Sequence, residues 1–544
     1  MKHAKKFASL LLALVMVFAL AGTAMAATVT VPSDGILKDH TFTAYQIFSG
    51  REEGGILSDV QWGSGINSDA FLTALKADTT YGSYFTDCTD EVAVAKVLGD
   101  NNTNTALANA VAELAYANKT GSGTALTSGK NELADGYYLV VDTTKNVAAG
   151  SAYNTALLQV VGDINITVKT DAPTVEKKVL EDDKYKQDGG YGTGYNDVAD
   201  YNMGDAVPFH LIGSVPDMSR YDTYKYIFHD TLSEGLTLNE GSIKVYVASD
   251  KAGTDKTEIT GWTKAVDGQS FTVSFEKLKT VSNVSQDKFI IVEYTATLNQ
   301  NAVVGLDGNP NVVYLKYSNK PDQSGSGDTD NTGNTPEDKV IVFTYELDTT
   351  KVDGQDKTEK LANAKFVLLN SDGTKVAKIT NGKFDGWQNL PNAGKDGKIS
   401  ADAWSTDTVL TSAETTGLFS VAGLDDGTYK LREIVAPSGY NLLSEDITVV
   451  ITATTTNGQT WTNGLASSGL ASSALTKLEV TADGTAGTGD TSTGIAGITV
   501  ANNKGSTLPE TGGIGTTIFY VLGSVLVLAA VVLLVTKKRM STNG

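Results

Sequence analysis

Through most of the chain, apolar and polar residues alternate over runs of five to eight positions. Phe42-Thr43-Ala44-Tyr45-Gln46-Ile47-Phe48 and Phe271-Thr272-Val273-Ser274-Phe275 are examples, and glycine, aspartate and asparagine separate the runs. A period of two puts the apolar side chains on one face of a strand, as half-buried antiparallel sheets require. The pattern predicts an all-β chain of tandem immunoglobulin-like β-sandwiches. A helical period is confined to 91–98 and 104–118, read as a short helical insertion in the first sandwich.

Two uninterrupted apolar runs break the alternation, one near each end. The first, 7–21, follows Lys2, Lys5 and Lys6 and precedes Ala24-Met25-Ala26. A basic start, an apolar middle and a small-residue cut site predict a signal peptide over 1–26, placing the mature protein outside the cytoplasm. The second run predicts a transmembrane helix over 514–536, long enough to cross a hydrocarbon core. Lys537, Lys538 and Arg539 follow it, the bias that keeps a short tail, 537–544, in the cytoplasm.

Two breaks divide the rest. Asp171-Ala172-Pro173 interrupts one strand-rich run, and 321–337 holds no aliphatic or aromatic residue, the composition of a solvated linker. The expected domains are therefore 27–170, 171–338 and 339–505. A weak repeat relates the outer two: Leu133-Ala134-Asp135-Gly136-Tyr137-Tyr138 aligns without gaps on Leu424-Asp425-Asp426-Gly427-Thr428-Tyr429. This sets Asp142 against Glu433, and a second match at the domain ends, Ile166-Thr167-Val168 on Ile498-Thr499-Val500, sets Thr170 against Asn502.

Composition narrows the function. The chain has 544 residues and a formal charge of −20, which argues against nucleic acid as a partner. Its one cysteine, Cys88, cannot form an internal disulfide, so an exported protein of this length must be stiffened by other means. Cys88 reads as a buried small hydrophobe. The four histidines show no ligand spacing, and Asp328-Thr329-Asp330-Asn331-Thr332-Gly333 lacks the closing glutamate of a calcium loop. No metal site, no cofactor and no enzyme activity are expected.

Strand parity then exposes charged residues on apolar faces. In Tyr429-Lys430-Leu431-Arg432-Glu433-Ile434-Val435, Glu433 shares the face of Tyr429, Leu431 and Val435. Lys351 shares that of Phe343, Tyr345 and Leu347, and Asn502 that of Ile498 and Val500. In the middle segment Lys177 lies with Val175 and Val179, Asp230 with Phe228 and Leu232, and Asn319 with Val313, Leu315 and Tyr317. Desolvation favours a neutral amine and a protonated carboxyl. A lysine amine beside an asparagine amide, with an acid to move protons, can close a Lys–Asn isopeptide bond and release ammonia. The expected sets are Lys177, Asp230 and Asn319, and Lys351, Glu433 and Asn502. Taken singly, each of these residues fits an ordinary ion pair as well. The opening strand of the first domain has no lysine at the matching place, so no such bond is expected there.

These residues resemble a known family. Tyr429 to Tyr440 resembles the E-box of collagen-adhesin B-type domains, with Ile434 where threonine is usual. Phe228-His229-Asp230-Thr231-Leu232 with Tyr317-Ser318-Asn319 resembles the isopeptide-forming domain of fimbrial shaft proteins. Leu508-Pro509-Glu510-Thr511-Gly512, followed by the apolar helix and basic tail, resembles a sortase sorting signal. The whole resembles a Gram-positive major (backbone) pilin. The resemblance implies cleavage after Thr511 by a pilin-type (class C) sortase and transfer of Thr511 to a lysine of an identical subunit. It also implies ancillary pilins as partners and attachment to cell-wall peptidoglycan by a housekeeping sortase. Lys169, at the end of the first domain, is the implied acceptor, with Lys178 second. A monomeric wall-anchored adhesin or an ancillary pilin is the alternative.

Overall fold

The computed structural model describes residues 27–33, 40–153, 155–160, 163–165, 172–182, 188–321, 327, 331–395, 398–456, 474–505 and 514–540. The expected signal peptide, Lys169 and the LPETG motif therefore lie outside the described residues.

In the first domain Ala27–Val31 pairs antiparallel with Gly129–Leu133 and parallel with Ile164–Asn165. A second sheet runs Ile56–Trp62, Phe42–Glu53, Gly136–Asp142, Thr155–Val160. Between its strands stand the helices Ser68–Ala77, Glu91–Asp100 and Thr105–Ala117. Asn67, Asp90 and Asn104 cap them, each side chain accepting from the backbone N–H three residues on. The helix Ser68–Ala77 lies outside the two stretches expected from the sequence. Its signal was the pair Phe71 and Leu75, one turn apart and both fully buried. Cys88 sits in the same core, 3 % exposed, and burial raises its thiol pKa.

Two seven-stranded sheets form the middle domain. One carries Val175–Leu180, Ala206–Ser214 and Phe289–Leu298; the other carries Tyr226–Leu232, Asn309–Ser318 and Asp338–Phe343. Alternation along Phe289–Leu298 and Asn309–Ser318 sends Val292, Tyr294, Ala296, Val313, Leu315 and Tyr317 into one shared core. In the third domain twelve hydrogen-bonded strands, eleven of them in one path, wrap a core that includes Phe366, Leu431, Val449 and Ile498.

The structure corrects one boundary. Within the tract 321–337, Thr332–Asn334 pairs with Asn309–Ser318, and Asp338–Phe343 joins the same sheet, so both strands belong to the middle domain. The third domain therefore begins at Thr344, not at 339. Polar composition reports solvation and is silent about which sheet the chain rejoins.

Only Thr344 separates Asp338–Phe343 from Tyr345–Asp353, so the chain crosses from the middle to the third domain without a linker. Thr344 is fully buried, its hydroxyl donating to Leu424 O at 3.1 Å while its own carbonyl accepts from Gly305 N at 3.1 Å. Met203 N donates to Gly423 O at 2.9 Å, and the Tyr345 hydroxyl donates to Asp200 Oδ2 at 2.9 Å. Two glycines with positive φ, Gly305 (+76°) and Gly494 (+71°), meet back to back here. A Cβ on Gly305 would lie 2.3 Å from Gly494 N. Gly305→Ala should therefore cost about 1 kcal/mol or more from the backbone conformation alone, with the clash added. Thermal unfolding of the ectodomain checks this, and Gly241→Ala, where a Cβ meets nothing within 4 Å, is the control.

Candidate functional site

Two buried lysine sites occupy the second and third domains. In the middle domain, pairing of Val175–Leu180 with Ala206–Ser214 sets Lys177 opposite Leu211, and the pleat turns its side chain into the core. Lys177 and Asp230 are both completely buried and form an ion pair through Nζ and Oδ2. Lys177 Nζ also donates to the Tyr294 hydroxyl at 3.0 Å, which donates to Asp230 Oδ1 at 3.0 Å. Phe209 and Phe271 stand against the Tyr294 ring, at 5.3 and 4.9 Å between centroids, and help exclude water.

The amide in reach of this pair is Asn311, not Asn319. Asn311 is fully buried and its Nδ2 donates to the Tyr294 hydroxyl at 2.7 Å. Asn319 lies past the other end of Asn309–Ser318, eight positions from Asn311, roughly 26 Å along a strand. There its backbone O accepts from Tyr153 N at 2.8 Å, in the contact between the first and middle domains. Both asparagines have odd parity on one strand direction, so the face was legible and the position along it was not.

In the third domain Tyr345–Asp353 and Ile495–Asn502 run parallel, with Lys351 paired to Val500 and Asp353 to Asn502. Lys351 and Asn502 are fully buried, and Glu433 is 4 % exposed. Lys351 Nζ donates to Val500 O at 3.1 Å. Asn502 Nδ2 lies 2.9 Å from each oxygen of Glu433, and Glu433 Oε2 also accepts from Leu443 N at 2.9 Å.

Electrostatics point the same way at both sites. Burial pulls the Lys177 amine down to about 8 against the opposing pull of Asp230, and burial raises Asp230 against that of Lys177. Burial likewise brings Lys351 down to about 8 and raises Glu433. Each pair is pushed toward amine and carboxylic acid, the forms that nucleophilic attack and proton transfer require. The carbonyl oxygens Asn311 Oδ1 and Asn502 Oδ1 are both buried without a hydrogen-bond partner. An unpaired buried amide oxygen costs on the order of 1–3 kcal/mol, a penalty found where chemistry is prepared.

In the first domain Asp142 meets a histidine. His40 Nδ1 lies 2.7 Å from Asp142 Oδ2, and His40 Nε2 lies 3.2 Å from Ser151 Oγ, all three residues being buried. The second-choice acceptor, Lys178, is corrected as well. It is 8 % exposed and ion-paired to Asp197, so it is not free on the surface for another subunit. Parity turned it away from the core, but Asp197 and the Tyr191 ring, 4.5 Å from Nζ, cover it.

The helix Ile514–Met540 is long and apolar enough to cross a membrane, with Lys537, Lys538 and Arg539 in its last turn. Sandwiches followed by such a helix define a multi-domain β protein anchored at the cell surface. Comparison with known proteins makes this specific. Residues 203–321 match the Cna-B-like domain described as Gram-positive pilin backbone subunit 2, and 345–465 match the SpaA prealbumin-like fold domain. Residues 500–541 match the LPXTG cell wall anchor motif. The trypsin-resistant surface T6 protein of Streptococcus pyogenes serotype M6 is 24 % identical over 452 residues, 73 % of each chain. Among solved structures, the T6 backbone pilin of that serotype is 18 % identical with a TM-score of 0.49, covering 90 % of this chain and 100 % of its own. The major pilin SpaD of Corynebacterium diphtheriae is 15 % identical with a TM-score of 0.45, covering 88 % and 98 %. The chain is a Gram-positive major pilin, a wall-anchored structural subunit and sortase substrate of a pilus polymer.

The rate of bond closure should be bell-shaped in pH. Below the acid's pKa the pair carries two protons and the ammonium cannot attack. Well above about 8 it carries none to spare, and the leaving nitrogen finds no donor. Sampling newly synthesised chain by intact mass across pH checks both limbs.

Proposed function

We propose that this pilin is polymerised by transfer of Thr511 to Lys169 of the next subunit, and that each subunit is stapled by two self-formed bonds, Lys177–Asn311 and Lys351–Asn502. The convergence of a lysine pushed toward its amine, a carboxyl pushed toward its acid and a buried amide in both sandwiches carries the second part. In the third domain the lysine and asparagine end neighbouring parallel strands, two residues out of register. Attack by Nζ on the amide carbon forms one C–N bond and breaks another, and ammonia leaves. Enclosure in a dry core supplies the proximity that makes an unactivated amide react. Asp230 and Glu433 act once, inside their own chain, so the chemistry is maturation and not turnover.

The polymerisation half rests on the sorting signal and on the place of Lys169 before Pro173. A pilin-type (class C) sortase would carry out the transfer, and a housekeeping sortase would attach the finished fibre, with any ancillary pilins, to peptidoglycan.

Intact mass of the mature ectodomain should fall short of the sequence mass by two molecules of ammonia. Asn311→Ala and Asn502→Ala should each restore one, whereas Asn319→Ala should restore none. Loss of one ammonia in Asn319→Ala would return the crosslink to the sequence-based assignment. Separately, Lys169→Ala should abolish the high-mass ladder on denaturing gels of cell-wall extracts, and an intact ladder would place the acceptor elsewhere.

A further inference from the structure

The two sites differ in one respect. In the third domain the carboxyl touches the leaving nitrogen directly, both Glu433 oxygens standing 2.9 Å from Asn502 Nδ2. In the middle domain Asn311 Nδ2 donates to the Tyr294 hydroxyl, at 2.7 Å. Asp230 stands behind it, its Oδ1 3.0 Å from the same hydroxyl, while its Oδ2 pairs with Lys177. Aspartate is one methylene shorter than glutamate, and the phenol fills the place of the missing reach. Tyr294 comes from Phe289–Leu298, a strand that supplies none of the other three groups. Its hydroxyl meets the nucleophile, the acid and the leaving nitrogen together, within 3.0 Å of each.

We infer that Tyr294 is a fourth catalytic residue of the middle-domain crosslink, passing a proton from Asp230 to the departing nitrogen of Asn311. The inference rests on the Lys177–Asn311 reading above. The reaction starts from the Lys177 amine and the Asp230 acid. Nζ bonds to Asn311 Cγ as the C=O pair moves onto oxygen, leaving Nζ positively charged. Nδ2, no longer conjugated in the tetrahedral adduct, becomes basic and takes the phenolic proton of Tyr294, while Asp230 gives its own proton to the phenol from Oδ1. The Asp230 carboxylate so formed then takes the Nζ proton on Oδ2. The Cγ–Nδ2 bond breaks, ammonia leaves, and tyrosine and aspartic acid finish as they began. The phenol links the Asp230 carboxyl to the amide through two hydrogen bonds. Glu433 needs no such intermediary.

Tyr294→Phe tests this in the full ectodomain made by cell-free synthesis, sampled over time by intact mass and by mapping of the linked peptides. The ring stays, so the packing against Phe209 and Phe271 stays. Closure of Lys177–Asn311 should slow by about 10²-fold or more, the usual worth of a positioned proton carrier. Lys351–Asn502, in the same molecule, should close at its normal rate and report that the chain has folded. In the parent protein the middle-domain bond should show a solvent deuterium effect from more than one proton in motion, and the phenylalanine variant a smaller one. Closure at the parental rate in Tyr294→Phe, or an isotope effect that the substitution leaves unchanged, overturns the inference. Absence of the Lys177–Asn311 peptide from the parent protein instead refutes the reading beneath it. If Tyr294→Phe fails to fold, shown by loss of both bonds, the isotope effect on the parent alone decides: a single-proton dependence rejects the relay.

Discussion

Lys177 and Lys351 have no access to water, and much of the architecture answers to that constraint. An ammonium in a medium of low dielectric costs several kcal/mol even after relaxation, and a lone ion pair does not reliably offset it. A sandwich can bear the burden only if the proton is shared with a neighbouring acid, or if the charge is removed for good. Asp230 and Glu433 provide the first course, and conversion of the amine to an amide provides the second. The cores are built to keep water out while this happens. Phe209, Phe271 and Tyr294 wall one site, and Leu431, Ile498 and Val500 surround the other. A carboxyl that would be ordinary on a surface is useful here because burial has raised its proton affinity.

The placement of the sites suits a subunit that is pulled from both ends. Asn502 precedes Thr511 by nine residues, and Lys351 lies on the strand that begins at the seamless joint with the middle domain. A bond between them would pass tension from the sorting end to that joint without loading the sheet between. The joint itself has little room to bend, since Thr344, Gly305 and Gly494 interlock through backbone contacts. The first domain is fastened differently. Gly150 N donates to Asn334 O and Tyr317 to Ser151 O, at 2.8 and 2.9 Å, and Ser151 belongs to the His40–Asp142 cluster. Here the acid that aligns with Glu433 is met by a histidine and not by a lysine.

Much of this was legible in the residues, and the reasons differ from part to part. Alternation along the strands gave the class of fold, because a pleated sheet can bury only every second side chain. The helix Ser68–Ala77 escaped notice because two buried residues make a faint period in ten. The tract 321–337 looked like a boundary because its polar composition gives no sign that Thr332–Asn334 pairs back into the middle domain. Tyr294 drew no attention, since a tyrosine on an apolar face is ordinary core until its hydroxyl is seen among reacting groups.

By itself the sequence determined which side chains leave the solvent: parity assigned Lys177, Asp230, Lys351, Glu433 and Asn502 to their cores, and the terminal segments assigned the chain to the wall. Only the tertiary structure decided which of those buried groups meet. Asn311 and Asn319 share a strand direction and a face, and nothing local distinguishes them. The choice depends on how far Asn309–Ser318 slides along Tyr226–Leu232, where Val313 faces Asp230 and Asn311 faces Leu232. That register is fixed by the packing of a whole core, because a side chain's face repeats every two residues while its position along the strand never repeats.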